Sequence, residues 1–211
     1  MTTAQKIDVS VYMLTYFHEK YVSEAIESVL GQNTNYTYEL VISDDCSKDN
    51  TVEIIKEYQR KYPEIIRLQL NEENIGIPRN IYQARCMCRG RYIVALSGDD
   101  YWIDDQKLEK EVGFLDEHPE YYSLYNVTEM RNDDCMSAYA IEPPKEYWDR
   151  SYTLKDYEKG NTLDSHGFMM RNAFLTEEGR QYFKKSQGIS RFVDDAADNF
   201  FILKKGPAYI L

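Results

Sequence analysis

The stretch "RYIVALSGDDYW" (91–102) decides how the rest of the chain is read. Tyr92 to Leu96 are apolar without a break, the pattern of a strand buried on both faces rather than one shared between core and solvent. The run ends at Ser97 and Gly98. Two adjacent carboxylates follow, Asp99 and Asp100, and then two aromatics, Tyr101 and Trp102. Like charges side by side repel, so a positive group is expected to meet them. A strand covered on both faces predicts a parallel sheet flanked by helices, where ligands sit beyond the carboxyl ends of the strands.

Working outward, the same alternation recurs. "DVSVYML" (8–14) and "ELVIS" (39–43) are rich in apolar and β-branched residues and read as strands, as does "IIRLQL" (65–70). Val22, Ala25, Ile26, Val29 and Leu30 repeat at helical spacing, with Gly31 suited to the stop. "DNTVEIIKEYQRKY" predicts a helix in which Asn50 is placed to cap, with Glu53 three residues on, and Pro63 closes it. "PRNIYQARCMC" (78–88) is a third helix and Asp105–His118 a fourth, followed by a strand at 121–127. Strands alternating with helices imply right-handed crossovers and a doubly wound, mainly parallel α/β sheet. From about Glu129 to Ser165 periodicity is lost, as in a functional loop or insertion. Helices are expected again at about 173–186 and 194–205, and a short strand in "GPAYIL". We read 1–211 as one domain with halves at 8–130 and 131–211; its apolar ending suggests a C-terminally truncated chain.

Twenty-five basic against 36 acidic residues give a net charge of −11, which argues against a nucleic-acid surface or a polybasic membrane patch. The four cysteines lack zinc-site spacing and are expected to be reduced thiols. The polar N-terminus carries no signal-like run, and no segment reaches the ~18 apolar residues of a membrane span. A cytoplasmic protein is expected, with association at the inner membrane face left open.

After the first strand comes "TYFHEK" (15–20), with neither G-x-G-x-x-G nor a Walker A loop, which removes the dinucleotide-binding and P-loop signatures. After the second comes Asp44-Asp45 and after the fourth Asp99-Asp100. Either pair alone reads as a turn or helix cap, most readily Asp44-Asp45 in "DDCSKDNT". Together they place four carboxylates at one sheet edge. Hard oxygen ligands of this kind favour Mg²⁺ or Mn²⁺ shared with substrate phosphates.

"VSVYMLTYFHEKYVSEAIESVLGQ", "ELVISDDCSKDNT", "NIGIPRN" and "GRYIVALSGDDYW" resemble, in that order, the nucleotide-binding half of family 2 glycosyltransferases with the GT-A fold. The resemblance covers about residues 8–130. It implies transfer of a sugar from a nucleotide donor, commonly a uridine diphosphate sugar, to an acceptor hydroxyl with inversion. It further implies that Thr15 and Tyr16 lie beside the base, with Phe17 where many relatives have Asn. Asp45 would bind uracil, with Asp44 its neighbour. Arg79 and Gly76 would lie on the nucleotide side, Asp99 at the ribose and Asp100 on the metal. Gly98 stands where many relatives have another carboxylate.

In "FVDDAADNFFILKKG" (192–206), counting back from Gly206 aligns Asp195 with the family's catalytic base and Asp194 with its acidic predecessor; Asp198 competes, one turn along. An N-cap pair on an amphipathic helix is the alternative reading. "DSHGFMMR" (164–171) falls in an acceptor-side segment, where His166 is equally a turn residue, and Trp102 serves an acceptor wall or the core. The implied partners are a nucleotide-sugar donor and a glycan or lipid-linked sugar acceptor, in surface polysaccharide or glycan synthesis. Two alternatives stand behind this: a non-catalytic nucleotide-sugar-binding module, and a sugar-1-phosphate nucleotidyltransferase, which lacks its Gly-rich basic loop here.

Overall fold

The computed structural model describes residues 6–131, 138–141, 145–148, 150–160, 167–186 and 195–210. In chain order its elements begin with β1 (Val9–Thr15), α1 (Val22–Leu30), β2 (Tyr38–Asp44), α2 (Thr51–Lys61), β3 (Ile66–Leu70), α3 (Ile77–Met87), β4 (Tyr92–Ser97) and α4 (Lys107–Glu117). There follow β5 (Ser123–Tyr125), β6 (Thr128–Arg131), β7 (Ala138–Ile141), α5 (Leu154–Glu158), β8 (Met169–Arg171), α6 (Glu177–Ser186), α7 (Asp195–Lys205) and β9 (Ala208–Ile210). Seven strands form one sheet in the order β3-β2-β1-β4-β8-β5-β9. β8 runs antiparallel to both β4 and β5; the other pairings in this sheet are parallel. This is the doubly wound, mainly parallel arrangement expected of the GT-A fold.

Alternate residues of each central strand feed opposite layers, as the two-residue period of a strand requires. Val9, Val11 and Met13 of β1, with Leu40, Ile42, Val94 and Leu96, pack under α1, α2 and α4. Tyr12, Val41 and Ile93 face the other way, onto α3, α6 and α7. Both faces are therefore dry, which is why Tyr92–Leu96 reads as an unbroken apolar run and β1 and β2 as largely apolar ones.

Register sets where the chemistry can go. Thr15 lies opposite Asp44, Leu14 opposite Ser97, and Asp44 opposite Leu70, so these strands finish level. The residues after them share one edge. At the amino end of the sheet the polar groups are instead sealed: Ser10 Oγ donates to Glu39 at 2.6 Å and Arg89 Nε donates at 2.8 Å. Burial would push the Glu39 carboxyl up, yet these hydrogen bonds hold it below its ordinary value.

Two local expectations are corrected. Asn50 precedes α2 but makes no side-chain cap; Asp49 Oδ1 instead accepts from the Thr51 amide (3.1 Å) and hydroxyl (2.6 Å). Asp49 reaches this position because an Asx turn needs only two residues of reach. Gly31 stops α1 as expected, with φ −79° rather than the left-handed form. The region 129–165 is not one loop: β6 and β7 pair antiparallel, and α5 carries a capping box between Thr153 and Asp156. Strands of four residues and a helix of five are too short to show a period.

Candidate active site

The edge is built around two buried aspartates with different partners. Asp44 accepts from Thr15 Oγ1 (2.8 Å), Ser47 N (2.8 Å) and Ser47 Oγ (2.6 Å), which clamps the end of β1 to the turn before α2. Asp45 accepts from the backbone amides of Ile75 (2.8 Å) and Gly76 (2.9 Å) and from Asn71 Nδ2 (3.1 Å). It thus ties the turn before α3 to the end of β2. Gly76 has φ +82°, a conformation that suits glycine alone without strain, and that conformation accompanies the close approach of its amide to Asp45. Behind Asp45, Asn71 Nδ2 and Ser43 Oγ both donate to Asn80 Oδ1, at 3.0 and 2.5 Å. Asn71 and Asn80 were not singled out from sequence; the repeated Asn around "NIGIPRN" was the available signal.

Phe17 and Cys46 adopt left-handed backbone, φ 60° and 70°. Non-glycine residues there carry strain of about 1–3 kcal/mol, a cost that clusters at ligand sites. The Phe17 amide is held by Ser47 Oγ at 2.9 Å. Tyr16 and Phe17 pack edge to face, centroids 4.5 Å apart, and remain 45% and 48% exposed, so this aromatic pair is open to a ligand. Arg79 is exposed in the first turn of α3 and makes no ion pair among the described residues.

The end of β4 is arranged differently. Ser97 Oγ donates to Asp99, and His18 Nε2 stands 3.7 Å from the other Asp99 oxygen. Asp99 and Asp100 are exposed and line a cavity of about 750 Å³. Gly98 is buried between strands: a Cβ there would sit 2.6 Å from Thr15 Cγ2, 2.7 Å from His18 Nδ1 and 3.2 Å from the Leu14 carbonyl. Position 98 thus has no room for a side chain while Thr15 and His18 keep these places. Gly98→Ala is accordingly expected to destabilise the fold by ~1–3 kcal/mol, as overpacking does, read as a lower thermal midpoint.

Among the described residues no cluster of three or more His, Cys, Asp or Glu could hold a metal by itself. Asp99 and Asp100 supply hard oxygens only. That sparse set fits Mg²⁺ or Mn²⁺, which keep waters and complete their shell with substrate phosphates.

The cavity floor reaches Tyr12, Arg85 and Asp198. Arg85 forks onto Asp198 (Nη1 to Oδ1 at 2.8 Å, with Nη2 on Oδ2) and donates to Tyr12 Oη at 2.7 Å. Both charges are almost fully buried. Asp198 holds the Arg85 guanidinium above its ordinary pKa despite burial, and burial pushes the Tyr12 hydroxyl up to about 12. Asp198, the competing candidate for the base, is therefore committed to an ion pair with Arg85. Asp195 is the first residue of α7, one turn earlier. Its side chain, Asp194 and His166 lie outside the described residues. On the opposite wall Lys107 donates to Glu111 and lies 5.5 Å over the Trp102 ring, and Trp102 both lines the cavity and packs on the core.

The sequence profile of "Glycosyl transferase family 2" matches residues 10–178. An uncharacterized protein of Mycobacterium tuberculosis (strain H37Rv) is 33% identical over 162 residues, covering 77% of this chain and 46% of that one. The "Putative glycosyltransferase EpsE" of Bacillus subtilis is 36% identical over 113 residues, 54% of this chain and 40% of its own. The crystal structure of Staphylococcus aureus TarS 1-349 in complex with UDP superposes with TM-score 0.72 at 22% identity, covering 97% of this chain and 58% of that one. A mannosyltransferase from Pyrobaculum calidifontis, in complex with GDP-Man and Mn²⁺, gives 0.66 at 14% identity, over 99% and 55%. The chain thus spans about half the length of the relatives and structures it matches. With the profile spanning most of the sequence and this fold beneath it, the chain belongs to glycosyl transferase family 2.

Proposed function

We propose that this chain carries the donor-binding and catalytic centre of an inverting, divalent-metal-assisted glycosyltransferase using a uridine diphosphate sugar. The observation that carries the reading is the level carboxyl edge, where Asp45 is held by backbone amides while Asp99 and Asp100 stay exposed at a cavity wall. Asp45 has three donors, and a carboxylate offers about four acceptor positions, so one remains for a pyrimidine N–H. Tyr16 and Thr15 flank the base, Arg79 approaches the nucleotide from α3, and Asp99 takes the ribose. Asp100, with Asp99 beside it, would hold the cation, which when bound neutralises the charge developing on the leaving diphosphate.

Asp195 is assigned as the base. It takes the proton from the acceptor hydroxyl as that oxygen attacks the anomeric carbon opposite the diphosphate, a single displacement needing one carboxylate. The acceptor is a glycan or lipid-linked sugar, and the pathway surface-polysaccharide or glycan synthesis. TarS and EpsE, named as glycosyltransferases, support the class; no described helix is long and apolar enough to cross a membrane. The test is release of nucleoside diphosphate from a panel of nucleotide sugars, with and without Mn²⁺. Mn²⁺-stimulated turnover lost in Asp100→Asn is expected. Binding without turnover of any donor, acceptor present, would indicate a non-catalytic module instead.

A further inference from the structure

We propose that His18 is a positioning residue for Asp99, and that it works only because position 98 is glycine. The inference rests on the reading of Asp99 as the ribose-binding carboxylate. Three observations meet at this side chain. Its backbone is fixed at both ends: the His18 amide donates to Thr51 Oγ1 at the start of α2 (2.9 Å), and the His18 carbonyl accepts from the amides of Tyr21 and Val22 as α1 begins (3.0 and 2.9 Å). Its ring occupies the space a side chain at 98 would need, with Nδ1 2.7 Å from where that Cβ would lie. That Nδ1 is buried and has no hydrogen-bond partner among the described residues, which leaves Nε2 as the ring's polar end, 3.7 Å from Asp99 Oδ2.

The chemistry follows from those positions. With Nδ1 buried and Nε2 facing the Asp99 carboxylate, the ring serves Asp99 through an N–H on Nε2. Nε2–H then faces Asp99 Oδ2, while Ser97 Oγ already donates to Oδ1. The carboxylate is bracketed by two donors, one per oxygen, and a small closure of the 3.7 Å gap completes the second bond when a nucleotide is bound. Each Asp99 oxygen keeps a lone pair to accept from a ribose hydroxyl. The imidazole from the β1–α1 turn thus orients the carboxylate without adding negative charge.

The predicted consequence is selectivity for ribose over deoxyribose. Binding of UDP and of 2′-deoxy-UDP, both with Mn²⁺, is measured by titration calorimetry for the wild type and for His18→Ala, His18→Gln and Asp99→Asn. A hydrogen bond to a charged group is worth enough that His18→Ala should lower the UDP to 2′-deoxy-UDP affinity ratio about tenfold, mainly through weaker UDP binding. His18→Gln keeps an N–H donor and should recover most of that ratio, which a loss of packing alone would not permit. Far-ultraviolet circular dichroism of each variant confirms that it folds. If Asp99→Asn lowers the ratio and His18→Ala leaves it at the wild-type value, the positioning role is refuted. If Asp99→Asn leaves the ratio unchanged, the ribose assignment of Asp99 fails, and the role of His18 with it.

Discussion

Asp195→Asn is expected to lower sugar transfer by ~10²–10⁴-fold, the range general-base catalysis supplies, while leaving UDP affinity at the wild-type value. The split follows from topology. The groups proposed to bind the nucleotide follow β1, β2 and β4, whereas Asp195 opens α7, more than ninety residues later in the chain. Helix α7 is anchored to α3 by the Asp198–Arg85 ion pair and to the second core layer by Phe201, Ile202 and Leu203. A base at its first residue is thereby mounted on a rigid element, and asparagine keeps the shape while removing the proton acceptor. The paired measurements are initial rates with donor and acceptor, and titration of UDP with Mn²⁺. Unchanged rates would transfer the role to another carboxylate.

The largest stability effect is expected at Arg85. Its guanidinium is buried, forks onto Asp198, and lies over the rings of Tyr12, Phe174 and Phe183 at 5.0, 5.9 and 5.6 Å. Arg85→Leu strands a buried carboxylate and should cost ~3–5 kcal/mol in urea unfolding. Arg85→Leu/Asp198→Leu removes both charges together and should cost clearly less, because a well-packed apolar pair can replace a buried ion pair. Loss of transfer in Arg85→Leu at a temperature where the variant stays folded would show that this pair also sets the placement of α7.

Much of this architecture was legible in the chain. Tyr92–Leu96 and, apart from Ser10, Val9–Leu14 are apolar because both faces are covered, and that pattern predicted the parallel sheet and its ligand-binding edge. Asp44-Asp45 and Asp99-Asp100 were placed on the same edge because strands in register end together. What stayed hidden depends on contacts remote in sequence or on elements too short to repeat. Arg85 and Asp198 are separated by 113 positions, and neither sits in a motif that announces the other. β8 has three residues, so nothing in "MMR" marks it as the antiparallel strand between β4 and β5. Asp44 and Asp45 look equivalent in sequence. Only the fold shows one clamped within its own turn by Ser47 and the other holding the amides of Ile75 and Gly76. Gly98 read as a lost carboxylate, whereas the packing of Thr15, His18 and Leu14 around it makes glycine a steric requirement.

The central claim is that the edge formed by Asp45, Asp99 and Asp100 is a metal-assisted nucleoside diphosphate site. Calorimetric titration of UDP, with and without Mn²⁺, tests it most directly. The account predicts that UDP binds, that Mn²⁺ strengthens binding by about tenfold or more, and that Asp100→Asn removes the metal-dependent gain. Absence of binding by UDP and by other nucleoside diphosphates, with Mn²⁺ present, would contradict it.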